Sequence, residues 1–407
     1  MRVITLHTAS AAARSLRRRR FQSAVAGLAL VVALAPIGAA SGDSSPARPL
    51  SKEARLKFIR RAQVWRPTNV SAMDLRAGPD GSGAFAPGAV VTCDYVPAKK
   101  VGHSKKFECA IGGKDVFKVR YGDDNGEVQG SVLASRLLWA LGFGADRVYP
   151  AHVVCRGCSS DPWNQEKPTD GEQTFDPAAI ERKPEGQVMK TVDDKDPGWS
   201  WQELSLVDAA KGGATLAQRD ALTLLAVMIQ HTDSKPEQQR LLCLPGGVNG
   251  EGWCDKPFLA VHDVGLTFGH GNLWNDQGRG SVNFAEWART PVWRDRDTCI
   301  AHMSQSHTGT LGDPAIGEAG RAFLANLLQQ LTDSQLHDLF EVGRADRRQI
   351  DPSTPAASVD DWVAAFKKKR DEIVSNRCPI NITASTSDAL PPASGGPLAA
   401  RSTAPRH

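Results

Sequence analysis

Eight cysteines constrain this chain more than any other feature. They fall at Cys93, Cys109, Cys155, Cys158, Cys243, Cys254, Cys299 and Cys378, and an even number behind an export signal reads as a disulfide framework. Local spacing pairs Cys93 with Cys109 across a hairpin, Cys243 with Cys254 across a Gly-rich turn, and Cys155 with Cys158 in a tight loop. Cys299 and Cys378 then remain for each other. The alternative for Cys155-Arg156-Gly157-Cys158 is half of a zinc site or a redox dithiol. Zinc needs a second pair of ligands at metal spacing, which the sequence lacks. A redox dithiol needs the motif at the start of a helix, whereas Ser159-Ser160-Asp161-Pro162 reads as loop.

The export signal is residues 1–40. Arg14 and the run Arg17 to Arg20 precede an uncharged apolar segment, Ala24 to Ile37, ending in Gly38-Ala39-Ala40, which is the layout of a signal peptide. Arg18-Arg19-Arg20-Phe21 also fits a twin-arginine signal. The alternative is an N-terminal membrane anchor through residues 24–40, although the apolar run is short for a span and carries Pro36. Either way the expected location is periplasmic, secreted or envelope-attached. Residues 1–40 hold six arginines and no acid, so without them the formal net charge of +4 becomes −2. That argues against nucleic acid as a partner, because a nucleic-acid binder needs a dense cationic face.

With 407 residues and 41% apolar composition the chain can bury one large core or two lobes. Residues 41–88 are polar and rich in Pro and Gly, a linker with one short amphipathic helix from Lys52 to Val64. Strands are expected at Val90 to Val96, Phe107 to Ile111 and Val116 to Tyr121, the last two joined by Gly112-Gly113. An amphipathic helix follows from Glu127 to Leu141, then a strand from Val148 to Val154. Residues 159–186 are too polar for core and read as a surface insertion. A strong helix, Thr215 to Gln230, leads into the stretch His231-Thr232-Asp233-Ser234-Lys235-Pro236-Glu237-Gln238. An apolar hairpin, Arg240 to Leu244 and Phe258 to Val261, then delivers His262-Asp263-Val264-Gly265. Four more helices are expected, at Phe284 to Ala288, Ala315 to Gln330, Thr332 to Arg344 and Val359 to Asn376. Residues 380–407 lack a core pattern and read as a disordered tail.

Phosphoryl transfer asks a protein for positioning and charge compensation: cations on the phosphates, metal ligands, and a carboxylate near the acceptor hydroxyl. Lys118 sits in an apolar strand, its side chain opposite Phe117 and Val119. Gly102, Ser104 and Lys106 lie in an interstrand loop of the kind that cradles phosphate. Asp233, Lys235 and Asp263 supply the rest. The ordinary alternatives are a surface lysine, a plain turn and a helix-start glutamate favoured by the macrodipole.

Laid against the protein-kinase catalytic loop, the stretch keeps His231, Asp233, Lys235, Pro236 and Glu237 in register, with Gln238 where a metal-binding Asn is usual. Together with Gly102-x-Ser104-x-Lys106, Lys118, the acid-headed helix containing Leu133-Ala134 and Leu141-Gly142, and Val261-His262-Asp263, it resembles the HipA-type kinases. Secretory-pathway kinases of the Golgi casein-kinase kind are similar too. The resemblance spans roughly Val90 to Phe340. It implies a disulfide-stapled α+β, bilobal protein-kinase-like fold, with a small antiparallel-sheet N-lobe carrying one helix (89–158) and a mainly helical C-lobe (159–379). It also implies ATP and Mg²⁺, and a hydroxyl acceptor on protein, glycan or lipid. Lys118 would hold the phosphates, oriented by Glu127; Asp233 would take the acceptor hydroxyl, Lys235 the transferring phosphate, and Asp263 with Gln238 the metal. The departures are Gln238 itself, the long insertion and Val264 in place of Phe. Two other classes stay open: a nucleotide-binding pseudokinase, and a disulfide-stapled envelope interaction protein.

Overall fold

The computed structural model describes residues 46–99, 101–165, 167–193, 198–269, 280–303, 309–351 and 353–379. The chain divides into two units, Met1–Asp43 and Ser44–His407, and every described residue belongs to the second. The expected signal segment and C-terminal tail lie outside the described residues. Among those described, no helix is long and apolar enough to cross a membrane.

After a first helix, α1 (Lys52–Arg61), capped by the Ser51 hydroxyl, five strands form a closed barrel. They are β1 (Ala89–Val96), β2 (Lys106–Ile111), β3 (Asp115–Tyr121), β4 (Arg147–Arg156) and β5 (Glu172–Arg182), in the spatial order β1-β2-β3-β5-β4. Neighbours run antiparallel except at the closure, where β1 pairs in parallel with β4 from Ala89 opposite Ala151 to Asp94 opposite Arg156. The expected small antiparallel sheet is therefore corrected to a barrel. Residues 159–186 are also not simply an insertion. Phe175, Ala178 and Ile180 are buried in the barrel core, and β5 is the strand that joins β3 to β4. Acids and Pro177 on and between its core positions mask the alternation.

The two-residue period of β3 turns Phe117, Val119 and Tyr121 into the barrel core, with the Cys93–Cys109 and Cys155–Cys158 disulfides. Lys118 and Arg120 consequently face outward. The helix α2 (Glu127–Ala140) crosses from β3 to β4, with nearly every side chain buried.

A larger, mostly helical core is built on α3 (Leu216–Met228), α4 (Phe284–Arg289), α5 (Glu318–Gln329), α6 (Asp333–Val342) and α7 (Val359–Ser375). Thr215, Thr332 and Ser358 open α3, α6 and α7 with reciprocal capping boxes, each satisfying amide groups that have no partner inside the helix. Trp287, Phe340 and Trp362 stack at the centre, with Trp362 5.4 Å from Trp287 and 5.5 Å from Phe340. A small sheet of β6 (Gln187–Val188), β7 (Gln239–Cys243) and β8 (Pro257–Val261) completes the frame. The Cys243–Cys254 and Cys299–Cys378 disulfides form as expected.

Candidate functional site

Besides β5, which supplies Glu181, and the loop carrying Ser104, three segments meet at Arg120. The first is β3 itself. The second is the start of α2, where Glu127 is the first helical residue. The third is the turn after β8, in which Asp263 adopts a left-handed backbone at φ 51°, a region that Asp tolerates better than most side chains. Two glycines allow the close approach of helix and turn. A Cβ on Gly130 would lie 2.3 Å from the Gly265 carbonyl oxygen, and one on Gly265 would lie 2.9 Å from Glu127 Oε2.

The Arg120 guanidinium is fully buried and engages three carboxylates. Nε donates to Glu181 Oε2 at 3.0 Å, Nη1 donates to Glu127 and Nη2 donates to Asp263. Ser104 Oγ donates to Glu127 Oε2 at 3.0 Å and accepts from Arg120 Nη1 at 3.2 Å. Lys118 Nζ donates to Glu181 Oε1 at 2.5 Å. Glu127 is therefore not the partner of Lys118, as the sequence suggests. Strand register decides this, since Lys118 stands directly opposite Glu181 on β5 and Arg120, two residues on, meets the helix.

The electrostatics follow from crowding. Burial pushes the Asp263 carboxyl up, but Arg120, Lys118 and Lys106 outweigh it and hold the group well below the usual carboxylate range. Glu181 is likewise penalised by burial, yet Lys118 and Arg120 bring it down to about 2. Burial keeps Glu127 above its usual range against the pull of Arg120. Lys106 is lowered by burial and then by Arg120. No carboxylate lies within ion-pair distance of it among the described residues; its Nζ sits 5.9 Å from the Trp163 ring instead.

The Asp233 loop lies beside this cluster. Thr232 N donates to Leu266 O at 3.2 Å and His262 N donates to Gln238 O at 2.9 Å, tying the loop to both flanks of Asp263. Lys235 Nζ approaches Asp233 Oδ1 at 3.1 Å, and Gln238 Nε2 donates to Asp233 Oδ2 at 2.9 Å. The flipped amide would set oxygen against carboxylate, so the donor assignment is chemically required. The amide nitrogen of Gln238 is thereby committed to Asp233, whereas ligation of a metal would use its Oε1. His231 is buried with no partner on either ring nitrogen among the described residues. Burial lowers it to about 4, with Asp233 and Asp263 acting in opposition, so the ring is neutral near pH 7.

Three residues of this neighbourhood escape a sequence reading: Arg120, Glu181 and Asp146. Asp146 Oδ2 binds the ring Nδ1 of His262 and accepts from Asp263 N at 3.1 Å. Asp146, Glu181 and His262 bring donor atoms within 4.8 Å of one another, a grouping suited to a cation. Glu181, however, already neutralises Lys118 and Arg120. The only signal for Arg120 was its place two residues beyond Lys118 on the same strand face.

No family model matches this chain, and no curated protein matches it. Among solved structures it is similar to the crystal structure of a Helicobacter pylori proinflammatory kinase, CtkA, at 11% identity and a TM-score of 0.37, over 72% of this chain and 96% of that one. A likeness of that size identifies neither fold nor activity.

Proposed function

We propose that the chain is an exported phosphotransferase that moves a phosphoryl group from a phosphoanhydride donor such as ATP to a hydroxyl of a protein, glycan or lipid. The observation that carries this reading is the joining of Glu127, Glu181 and Asp263 on one buried guanidinium beside the Asp233 loop. Such a cluster, with Lys118 and Lys106 at its edge, fixes carboxylates and cations in one place without solvent reorganisation, which is what phosphoryl transfer requires.

The residues present fit the two groups the reaction needs. Lys106 is a desolvated cation with no carboxylate partner among the described residues, as a phosphate site requires. Asp263 keeps Oδ2 without a protein donor among them while Oδ1 is held by Arg120, which suits a magnesium ion that keeps several waters. When bound, the metal would supply charge compensation on phosphate oxygens. Arg120 sets the position of Asp263; Lys106 and Lys118 balance phosphate charge. The Gly102 to Lys106 loop brings Ser104 to Glu127. Asp233 accepts the acceptor proton, and Lys235 together with Gln238 orients its carboxylate.

Export is supported by residues 1–40 and by the four disulfides, which persist in oxidising compartments. The runner-up is a nucleotide-binding protein without transfer. It is favoured by Asp233 already receiving both Lys235 and Gln238, which reduces its strength as a base. Release of ADP and labelling of acceptor by wild type and by Asp233→Asn separate the two. Transfer is expected to fall by about 100-fold or more in the variant, with donor binding retained. Equal turnover by both proteins would overturn the assignment.

A further inference from the structure

Beside the Arg120 cluster a cavity of about 540 Å³ opens between the outer face of β2, β3 and β5 and the β7–β8 hairpin. Five cationic side chains line it: Lys118, Arg147, Arg182, Lys183 and Arg240. Glu108 and Glu181 are the carboxylates among the lining residues, and Val116 and Phe117 the apolar ones. Glu181 is shared between Lys118 and Arg120. Arg182 is held by Asp115 at 2.6 Å, and Arg147 lies 3.8 Å from Glu185. Lys183 has no ion pair among the described residues, and Arg240 Nη1 donates to the backbone carbonyls of Glu237 and Gln239. A concave wall with an excess of cations focuses a positive field into the cavity.

The same lining is poor for a nucleobase. A base needs apolar slabs or an aromatic face to stack on. Phe117 turns into the barrel core, and the Arg182 guanidinium covers its ring at 5.1 Å. The cavity adjoins the proposed transfer site: Lys118 and Glu181 belong to both, and His262, also at its wall, directly precedes Asp263.

We propose that this cavity binds an oligophosphate chain with no stacked base. The chain comes either from free oligophosphate or from a nucleotide whose base stays in solvent. The inference deepens the phosphotransferase reading, on which only its use as a donor site rests; binding stands or falls separately.

The test is calorimetric titration of the full chain, with magnesium, using tripolyphosphate, ATP and adenosine as probes. Tripolyphosphate is expected to bind within about threefold of ATP, with a strong salt dependence, and adenosine is expected not to compete. Lys183→Glu, at an exposed position that leaves the fold alone, and Arg240→Gln are each expected to weaken tripolyphosphate by about 10-fold. Similar affinities for tripolyphosphate and ATP would place either source in the cavity, and exclusive preference for tripolyphosphate would select the free oligophosphate. Failure of tripolyphosphate to bind, unchanged affinity in both variants, or ATP binding more than 10-fold tighter with adenosine competing would overturn the proposal. Asp233→Asn keeps the two ideas apart. Binding without transfer in the wild type sinks the phosphotransferase reading alone, whereas transfer with unaffected cavity variants sinks this one alone.

Discussion

Arg120, itself fully buried, holds three carboxylates together, and its removal would leave them facing one another. Replacing one partner of a buried ion cluster typically costs about 3–5 kcal/mol, so Arg120→Met is expected to lower the free energy of chemical unfolding by that much near pH 7. The loss should shrink in acid, as the carboxyls protonate; a loss independent of pH would refute the charge argument. His231 sets a second, separable pH window. Its folded value of about 4 lies below the unfolded 6.5. Its stabilising contribution is therefore complete above 6.5 and fades as pH falls toward 4, by roughly 3 kcal/mol in all. The Glu181 contribution is complete above its unfolded value near 4.5 and is lost only toward about 2. His231→Phe is expected to flatten the stability profile between pH 6.5 and 4 and leave the lower window in place, as read by urea unfolding across pH. At this scale the sequence was half legible. Alternation in β3 put Lys118 and Arg120 on one face, but choosing which of them meets Glu127 depends on the register with β5, a pairing between residues some sixty positions apart that no local pattern encodes.

Helices with apolar periodicity and capping residues were plain in the sequence. Thr215 and Gln218 mark the start of α3, and both capping bonds form. The strand β5 was not plain, because Asp176, Pro177 and Glu181 sit among its core positions and resemble loop chemistry. That miss also hid Glu181. The contact of α2 with the Asp263 turn gives an element-level expectation. Alanine normally favours a helix over glycine by about 1 kcal/mol, yet at Gly130 its methyl would overlap the Gly265 carbonyl. Gly130→Ala is therefore expected to destabilise by roughly 2 kcal/mol or more and to weaken metal-dependent donor binding by moving Asp263. Differential scanning fluorimetry with and without donor and magnesium reads both; a stabilised variant would show that helix and turn can part without loss.

Across the whole molecule the disulfides carry unequal weight. Cys299–Cys378 closes a loop of 79 residues and ties the end of α7 to the segment ahead of α5, whereas Cys155–Cys158 closes one of three. Chain-entropy reasoning ranks the first far above the second. The paired change Cys299→Ser with Cys378→Ser is expected to cost about 2–5 kcal/mol in equilibrium unfolding, and Cys155→Ser with Cys158→Ser distinctly less; the reverse order would mean that local packing, not loop closure, dominates. All four pairings were legible from spacing, because three of them are local. Barrel closure was not, because parallel pairing of β1 with β4 leaves no mark in either strand. Its strand order has a consequence for synthesis. The strand β5, last of the five to emerge, fits between two that precede it. Until Arg182 has left the ribosome, β3 and β4 each present an unpaired edge, and Lys118 and Arg120 lack Glu181. A nascent chain therefore holds an adhesive half-barrel, and the charge cluster and the closed wall are completed in one insertion, so interruption of translation anywhere between α2 and β5 yields a product that other strands can capture.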